Sequence, residues 1–188
     1  MKIQIPLAIL LCWSTTVDAA ETVDLSRLER ISPKEPEYNS RQPLYALVVF
    51  GERAKTQMWM ALDQSNAEDG PYDVAYVDLN GNGDLRDDGE RFVAKDASGT
   101  SETTTAMFAL GDFTDPDAGV DHTQLQLRLS AGSRPLHMLK LKWRDKHFMA
   151  GGYAEQSEGG YMRFAPSTQE APIVWFNGDG PFRFQRWY

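Results

Sequence analysis

The run Leu44-Tyr45-Ala46-Leu47-Val48-Val49-Phe50 is apolar throughout, short, rich in β-branched and aromatic residues, and closed by Gly51. Such a stretch suits a central strand. The next segments keep to strand length. Thr56, Met58, Met60 and Leu62 alternate with Gln57, Trp59 and Ala61, and Tyr72 to Val77 and Arg91 to Val93 are again β-branched and aromatic. Further strands are predicted over Glu102 to Leu110, His122 to Leu129, Leu136 to Trp143, Phe148 to Tyr153, Tyr161 to Phe164, Ile173 to Phe176 and Phe182 to Trp187. In the second of these, Leu125, Leu127 and Leu129 are expected inward and Gln124, Gln126 and Arg128 outward. About ten short strands between Gly, Pro, Asp and Ser turns predict an all-β chain: an antiparallel β-sandwich, jelly-roll-like, or an open barrel. No repeat at a fixed period suggests a propeller.

The first 20 residues read as a leader rather than as part of that fold. Lys2 is followed by the apolar stretch Ile3 to Trp13, and Val17 and Ala19 hold the small-residue positions before a cleavage point, the pattern of a signal peptide. Export to the periplasm or the extracellular space is therefore expected. The apolar run is too short to cross a bilayer, and no later segment approaches the roughly 20 apolar residues that a transmembrane helix needs. Leu11 stands before Cys12 where a lipoprotein signal has a small residue. Cys12 is the one cysteine, so the processed chain would have neither disulfide nor thiol chemistry.

Removing 20 of 188 residues leaves 168, enough for one domain with a real core. Residues 21–43 read as an N-terminal arm, in which Ser26 and Glu29 suggest a capping box and Pro33 and Pro36 limit any helix to two turns. Residues 44–188 then form a single β-rich domain. Lys2 and Asp18 cancel, so the processed chain keeps the net charge of −8, which argues against nucleic acid or an anionic membrane as partner.

One stretch has side-chain oxygens spaced for a hard cation. In Asp78-Leu79-Asn80-Gly81-Asn82-Gly83-Asp84-Leu85, carboxylate or amide oxygens recur at every second residue, and a glycine takes the sixth place, where a calcium loop turns sharply. Asp87, Asp88 and Glu90 come after it. The twelfth place, which holds a bidentate Glu in an EF-hand, is Gly89, and the acid comes one residue late at Glu90. The flanks are strands, not helices. The expected ligands are Asp78, Asn80, Asn82, Asp84, Asp88 and Glu90, with Asp87 in reserve and Leu85 as an inward apolar anchor; the expected ion is Ca2+.

The pattern D-x-N-x-N-G-D-L-x-D-x-G-E resembles the strand-loop-strand repeat of GEVED-type β-sandwich modules in secreted bacterial proteins. More widely, Glu35-Pro36-x-Tyr38, Pro43-x-Tyr45-Ala46-Leu47-x-Val49-Phe50-Gly51, Ala54-Lys55-Thr56 and Trp59, the loop, Ala171-Pro172-Ile173-Val174 and Asn177-Gly178 resemble a group of exported bacterial β-rich proteins. That resemblance implies the fold and export but no activity.

Signatures of catalysis are missing from the sequence: there is no H-E-x-x-H, no G-x-S-x-G and no phosphate loop. His122, His137 and His147 stand singly and are expected at the surface or half-buried. Asp112, Asp115, Asp117 and Asp121 lack the alternate-residue register and read as a solvated strand connection. Trp59, Trp143, Trp175 and Trp187 lie in predicted strands, with Trp59 and Trp187 expected to be exposed, where indole rings stack on sugars. The expectation is a noncatalytic, calcium-stabilised binding or structural module at the cell envelope, with a protein or a glycan as partner. The alternative is a carbohydrate-active enzyme or carbohydrate-binding module of the same fold.

Overall fold

A computed structural model describes residues 23–31, 33–66, 69–130, 136–143, 146–150, 164–176 and 183–185. The expected leader, most of the strand expected over Tyr161 to Phe164, the turn at Asn177 to Gly180, and Trp187 lie outside them. The described residues form ten strands: β1 (Leu44–Phe50), β2 (Thr56–Asp63), β3 (Val74–Val77), β4 (Arg91–Val93), β5 (Ala106–Asp115), β6 (Val120–Ser130), β7 (Leu136–Trp143), β8 (Lys146–Ala150), β9 (Ile173–Phe176) and β10 (Arg183–Gln185). They make a six-stranded sheet, β10-β9-β1-β2-β3-β4, and a four-stranded sheet, β5-β6-β7-β8. The chain is all-β and its two sheets share one core, as in a sandwich. Among the described residues no helix is long and apolar enough to cross a membrane.

Among the ten described strands every pairing is antiparallel but one. β9 runs parallel to β1, with Leu47 opposite Ile173 and Phe50 opposite Phe176, so the larger sheet is mixed rather than purely antiparallel. The reason lies in the route of the chain. β2 takes one edge of β1 through a tight turn, whereas β9 reaches the other edge after all four strands of the second sheet, with no hairpin to force its direction.

Side-chain alternation sends Ala46, Val48 and Phe50 of β1, and Met58, Met60 and Leu62 of β2, into the space between the sheets. There they meet Ala106, Phe108, Leu110 and Phe113 of β5 and Leu125, Leu127 and Leu129 of β6, the last three inward as expected. On β5 the inward set changes from even to odd positions around Gly111, which has φ +91°. On β6 it changes around Gln124, which has φ +58°. These are matching bulges, and the Gln124 N–H donates to Asp112 Oδ1 at 3.0 Å across them. The bulge explains why the strand predicted to stop at Leu110 runs on to Asp115. It also turns His122 inward. This histidine is 2 % exposed, stacked on Phe113 at 5.8 Å and packed against Phe50 and Phe176, not at the surface as expected.

The opposite face of the six-stranded sheet is equally apolar. Tyr45, Leu47, Val49, Trp59, Ala61, Val74, Tyr76 and Ile173 form a second core with Leu25, Leu85 and Ala171. The N-terminal arm covers it. Asp24, rather than Ser26, caps a single 3₁₀ turn at Leu25–Arg27 by accepting the Ser26 N–H, and the turn delivers Leu25 onto the sheet. Arg30 Nη1 donates to the carbonyls of Thr168, Gln169 and Ala171. Farther along, buried Asp63 accepts the N–H groups of Asn39 (3.0 Å) and Ser40 (2.7 Å). Trp59, expected at the surface, is therefore only 2 % exposed.

His122 makes the inner core sensitive to acid. Burial holds its imidazole down at about 4, against the pull of Asp115 and Asp121. The unfolded chain takes up that proton near 6.5 and the folded chain only near 4, so this histidine's contribution to stability is complete above about 6.5 and is lost as pH falls toward 4. In urea unfolding between pH 7 and 4, the stability of the native chain relative to His122→Phe should decline toward the acid end, the comparison cancelling the opposite contribution of raised carboxyls such as Glu90 that both chains share. An unchanged slope in the variant would place the acid sensitivity elsewhere.

Candidate cation-binding loop

β3 and β4 are antiparallel neighbours, and residues 78–90 join them. The base of the loop is pinned by the sheet: the Asp78 N–H donates to Trp59 O and the Val77 N–H to Glu90 O, both at 2.9 Å. Between these points the alternating oxygens build the loop by themselves. Asn80 Oδ1 accepts the Asn82 N–H (2.9 Å), Asn82 Oδ1 the Asp84 N–H (2.7 Å), and Asp84 Oδ1 the Arg86 N–H (3.2 Å), three Asx turns in succession. Gly83, at the sixth place, has φ +74° and donates its N–H to Asp78 Oδ2 at 2.9 Å. The Asn82 N–H reaches Asp78 Oδ1 at 3.0 Å, so both oxygens of Asp78 face the loop backbone. Leu85 anchors the far side, buried in the outer core as expected.

Each expected ligand has a definite place. Asp78 is 1 % exposed and Glu90 is 4 % exposed. Glu90 Oε1 accepts the Asn80 N–H at 3.1 Å, whereas its buried Oε2 has no hydrogen-bond partner. The side-chain amides of Asn80 and Asn82 both donate to Asp87 Oδ2, at 2.9 and 2.7 Å. Asp87, held in reserve on sequence grounds, is thus the acid that meets the amides, while Asp88 is exposed. Asp84 turns away. Its carboxylate takes both Nε and Nη2 of Arg86 at 2.8 Å and lies 3.4 Å from Lys34 Nζ. No spacing rule in the sequence distinguishes position 87 from 88, because that choice depends on where the two amides point.

The electrostatics sort the acids the same way. Arg86 holds the Asp84 carboxyl well below the usual range. Burial pushes Asp78 up, and burial together with the Asp78 and Asp87 charges pushes Glu90 up to about 7. Among the described residues no basic side chain forms an ion pair with Asp78, Asp87 or Glu90. Nor do any three His, Cys, Asp or Glu side chains there make a ready cage for a metal, so a cation in this loop would rely on the asparagine oxygens and backbone carbonyls as well. The buried, unpartnered Glu90 oxygen beside Asp78 fits that role.

The loop also lines a cleft of about 380 Å³, in which Asp78 and Gly81 to Gly83 are joined by Ile31, Lys55, Gln57, Trp59 and Pro116. The β5–β6 turn lines the same cleft with Pro116 and Asp117. Here each acid of the 112–121 cluster has its own protein partner: Asp115 takes the Thr56 hydroxyl at 2.5 Å, Asp117 pairs with Arg53 at 2.9 Å, Asp121 takes the Thr114 hydroxyl, and Asp112 the bulge N–H of Gln124.

No protein-family model, no curated protein and no solved structure matches this chain. Its function is therefore inferred from its own residues.

If the loop is strained by like charge, removing one charge relieves it. In a chelator at pH 8, Glu90→Gln should raise the melting temperature by about 2 to 4 °C, the equivalent of roughly 1 kcal/mol in a domain of this size. A melting temperature lowered by the same amount would show that Glu90 serves the fold as an acceptor and not as an uncompensated charge.

Proposed function

We propose that this protein is an exported, calcium-binding β-sandwich that serves as a noncatalytic binding or structural module at the cell envelope. The observation that carries the reading is the Glu90 carboxylate oxygen, buried without a partner next to buried Asp78. A buried charge without a counter-charge is costly, and a divalent cation removes the cost for both acids at once. Asp78, Glu90 and Asp87 would supply carboxylate oxygens, and Asn80 and Asn82 their amide oxygens, each of which keeps a lone pair beside the N–H it already accepts. Asp84 would remain with Arg86. A set of carboxylates and amides without imidazole or thiolate suits calcium, and magnesium, which keeps its waters, fits such a loop poorly. Export supports the same reading: a processed chain without cysteine gains from a cation the bracing that secreted domains often take from disulfides.

A second reading has the cleft in its favour. A carbohydrate-binding module or carbohydrate-active enzyme of this fold would seat a sugar between the loop and Lys55, Gln57 and Ile31. Trp59 lines this cleft but is only 2 % exposed, so it offers little of its ring face for a sugar to stack on. A specific hit on a glycan array would favour this reading over the first.

Calcium binding is tested as a stability increment. An ion at 100 times its dissociation constant that binds only the folded state adds roughly 2.7 kcal/mol, which corresponds to about 5 to 10 °C in melting temperature. Millimolar calcium should therefore raise the midpoint by that amount over EDTA, magnesium should do so weakly, and Asp78→Ala should remove most of the increment. Identical midpoints in calcium and EDTA would reduce the loop to an acidic turn.

A further inference from the structure

The cation loop does more than close the β3–β4 hairpin: it holds the middle of the arm. The Lys34 N–H donates to Gly83 O at 2.7 Å and Lys34 O accepts the Leu85 N–H at 2.9 Å, a short parallel bridge between arm and loop. Lys34 Nζ lies 3.4 Å from Asp84 Oδ2. Next to the loop, Gln57 Nε2 donates to Glu29 O at 3.0 Å. Leu85, from the loop, and Leu25, from the arm, are buried in the same outer core over Trp59 and Leu47.

The two backbone partners of Lys34 are the residues on either side of Asp84 in the cation loop. Gly83 also donates its N–H to Asp78, one of the two buried acids. Whatever fixes Asp78 therefore fixes the carbonyl to which the arm is bound. The like-charged pair of Asp78 and Glu90, with the unpartnered Glu90 oxygen, favours loop conformations that separate the two acids; a cation between them reverses that preference. We infer that the loop is a calcium-controlled strap, in which the bound ion fixes Pro33 and Lys34 of the arm over the outer face of the six-stranded sheet and its loss frees them. This inference rests on the calcium reading above. The anchors at Asp63 and at the 168–171 carbonyls lie away from the loop, so the arm stays attached at those points and only its middle is released.

Hydrogen exchange of the full-length exported chain, with calcium binding measured in parallel by titration calorimetry, tests it. Calcium should slow exchange of the Lys34 and Leu85 amides on the order of tenfold relative to EDTA, while amides of β5 and β6, such as Phe108 and Leu127, keep their rates. Tryptic nicking after Lys34 should slow in step. Lys34→Pro, which removes the donor to Gly83 and touches no proposed ligand, should still bind calcium yet leave Leu85 exchange fast in both conditions. Calcium that binds without altering arm exchange overturns the strap and leaves the calcium reading intact. Calcium that slows exchange equally in every strand also overturns the strap, since that is global stabilisation. Absence of calcium binding overturns both.

Discussion

The six-stranded sheet has two apolar faces, and the rest of the structure depends on the need to cover both. β1 buries Ala46, Val48 and Phe50 on one side and Tyr45, Leu47 and Val49 on the other. Each face left in water would expose several large side chains at about 25 cal/mol per Å². The four-stranded sheet covers the inner face, with bulges at Gly111 and Gln124 that keep its apolar residues inward along its whole length. No second sheet is left for the outer face among the described residues. It is covered by irregular chain, the arm and Leu85 of the loop, held by hydrogen bonds that Arg30 and Lys34 donate and that Asp63 accepts.

Irregular chain over an apolar face has backbone groups that must find partners, and this is where the loop and the cover become one problem. The Gly83 carbonyl and the Leu85 N–H complete the hydrogen bonding of Lys34, and Asp78 completes that of Asn82 and Gly83. Two buried acids result, at the two ends of a thirteen-residue loop. Satisfying the backbone leaves charge uncompensated, and a cation is the simplest group that compensates it without adding a side chain.

Much of this is legible in the sequence and some is not, for physical reasons. Strand positions, the inward leucines of β6 and the loop are set by local periodicity and turn chemistry, which act over a few residues. Trp59 and His122 defeat the same reasoning. Trp59 sits on the face opposite Met58 and Met60, and nothing near it in sequence says that a separate segment, the arm, will cover it. His122 would alternate outward from Leu125 but for the bulge at Gln124, whose positive φ depends on its partner strand. The parallel pairing of β1 with β9 is likewise a matter of long-range route. In the loop, spacing singles out Asp78 and Glu90 but does not say that Arg86 will take Asp84, or that Asp87 rather than Asp88 will face the amides.

The most direct test of calcium binding is the position of an ion. Crystals grown in calcium, with data collected to reveal its anomalous scattering, should show one peak between Asp78 and Glu90, with oxygens from both at about 2.3 to 2.6 Å and the Asn80 and Asn82 amide oxygens facing it. A well-ordered loop at millimolar calcium with no such peak, and with Glu90 hydrogen-bonded to Asp78 as a protonated acid, would contradict it.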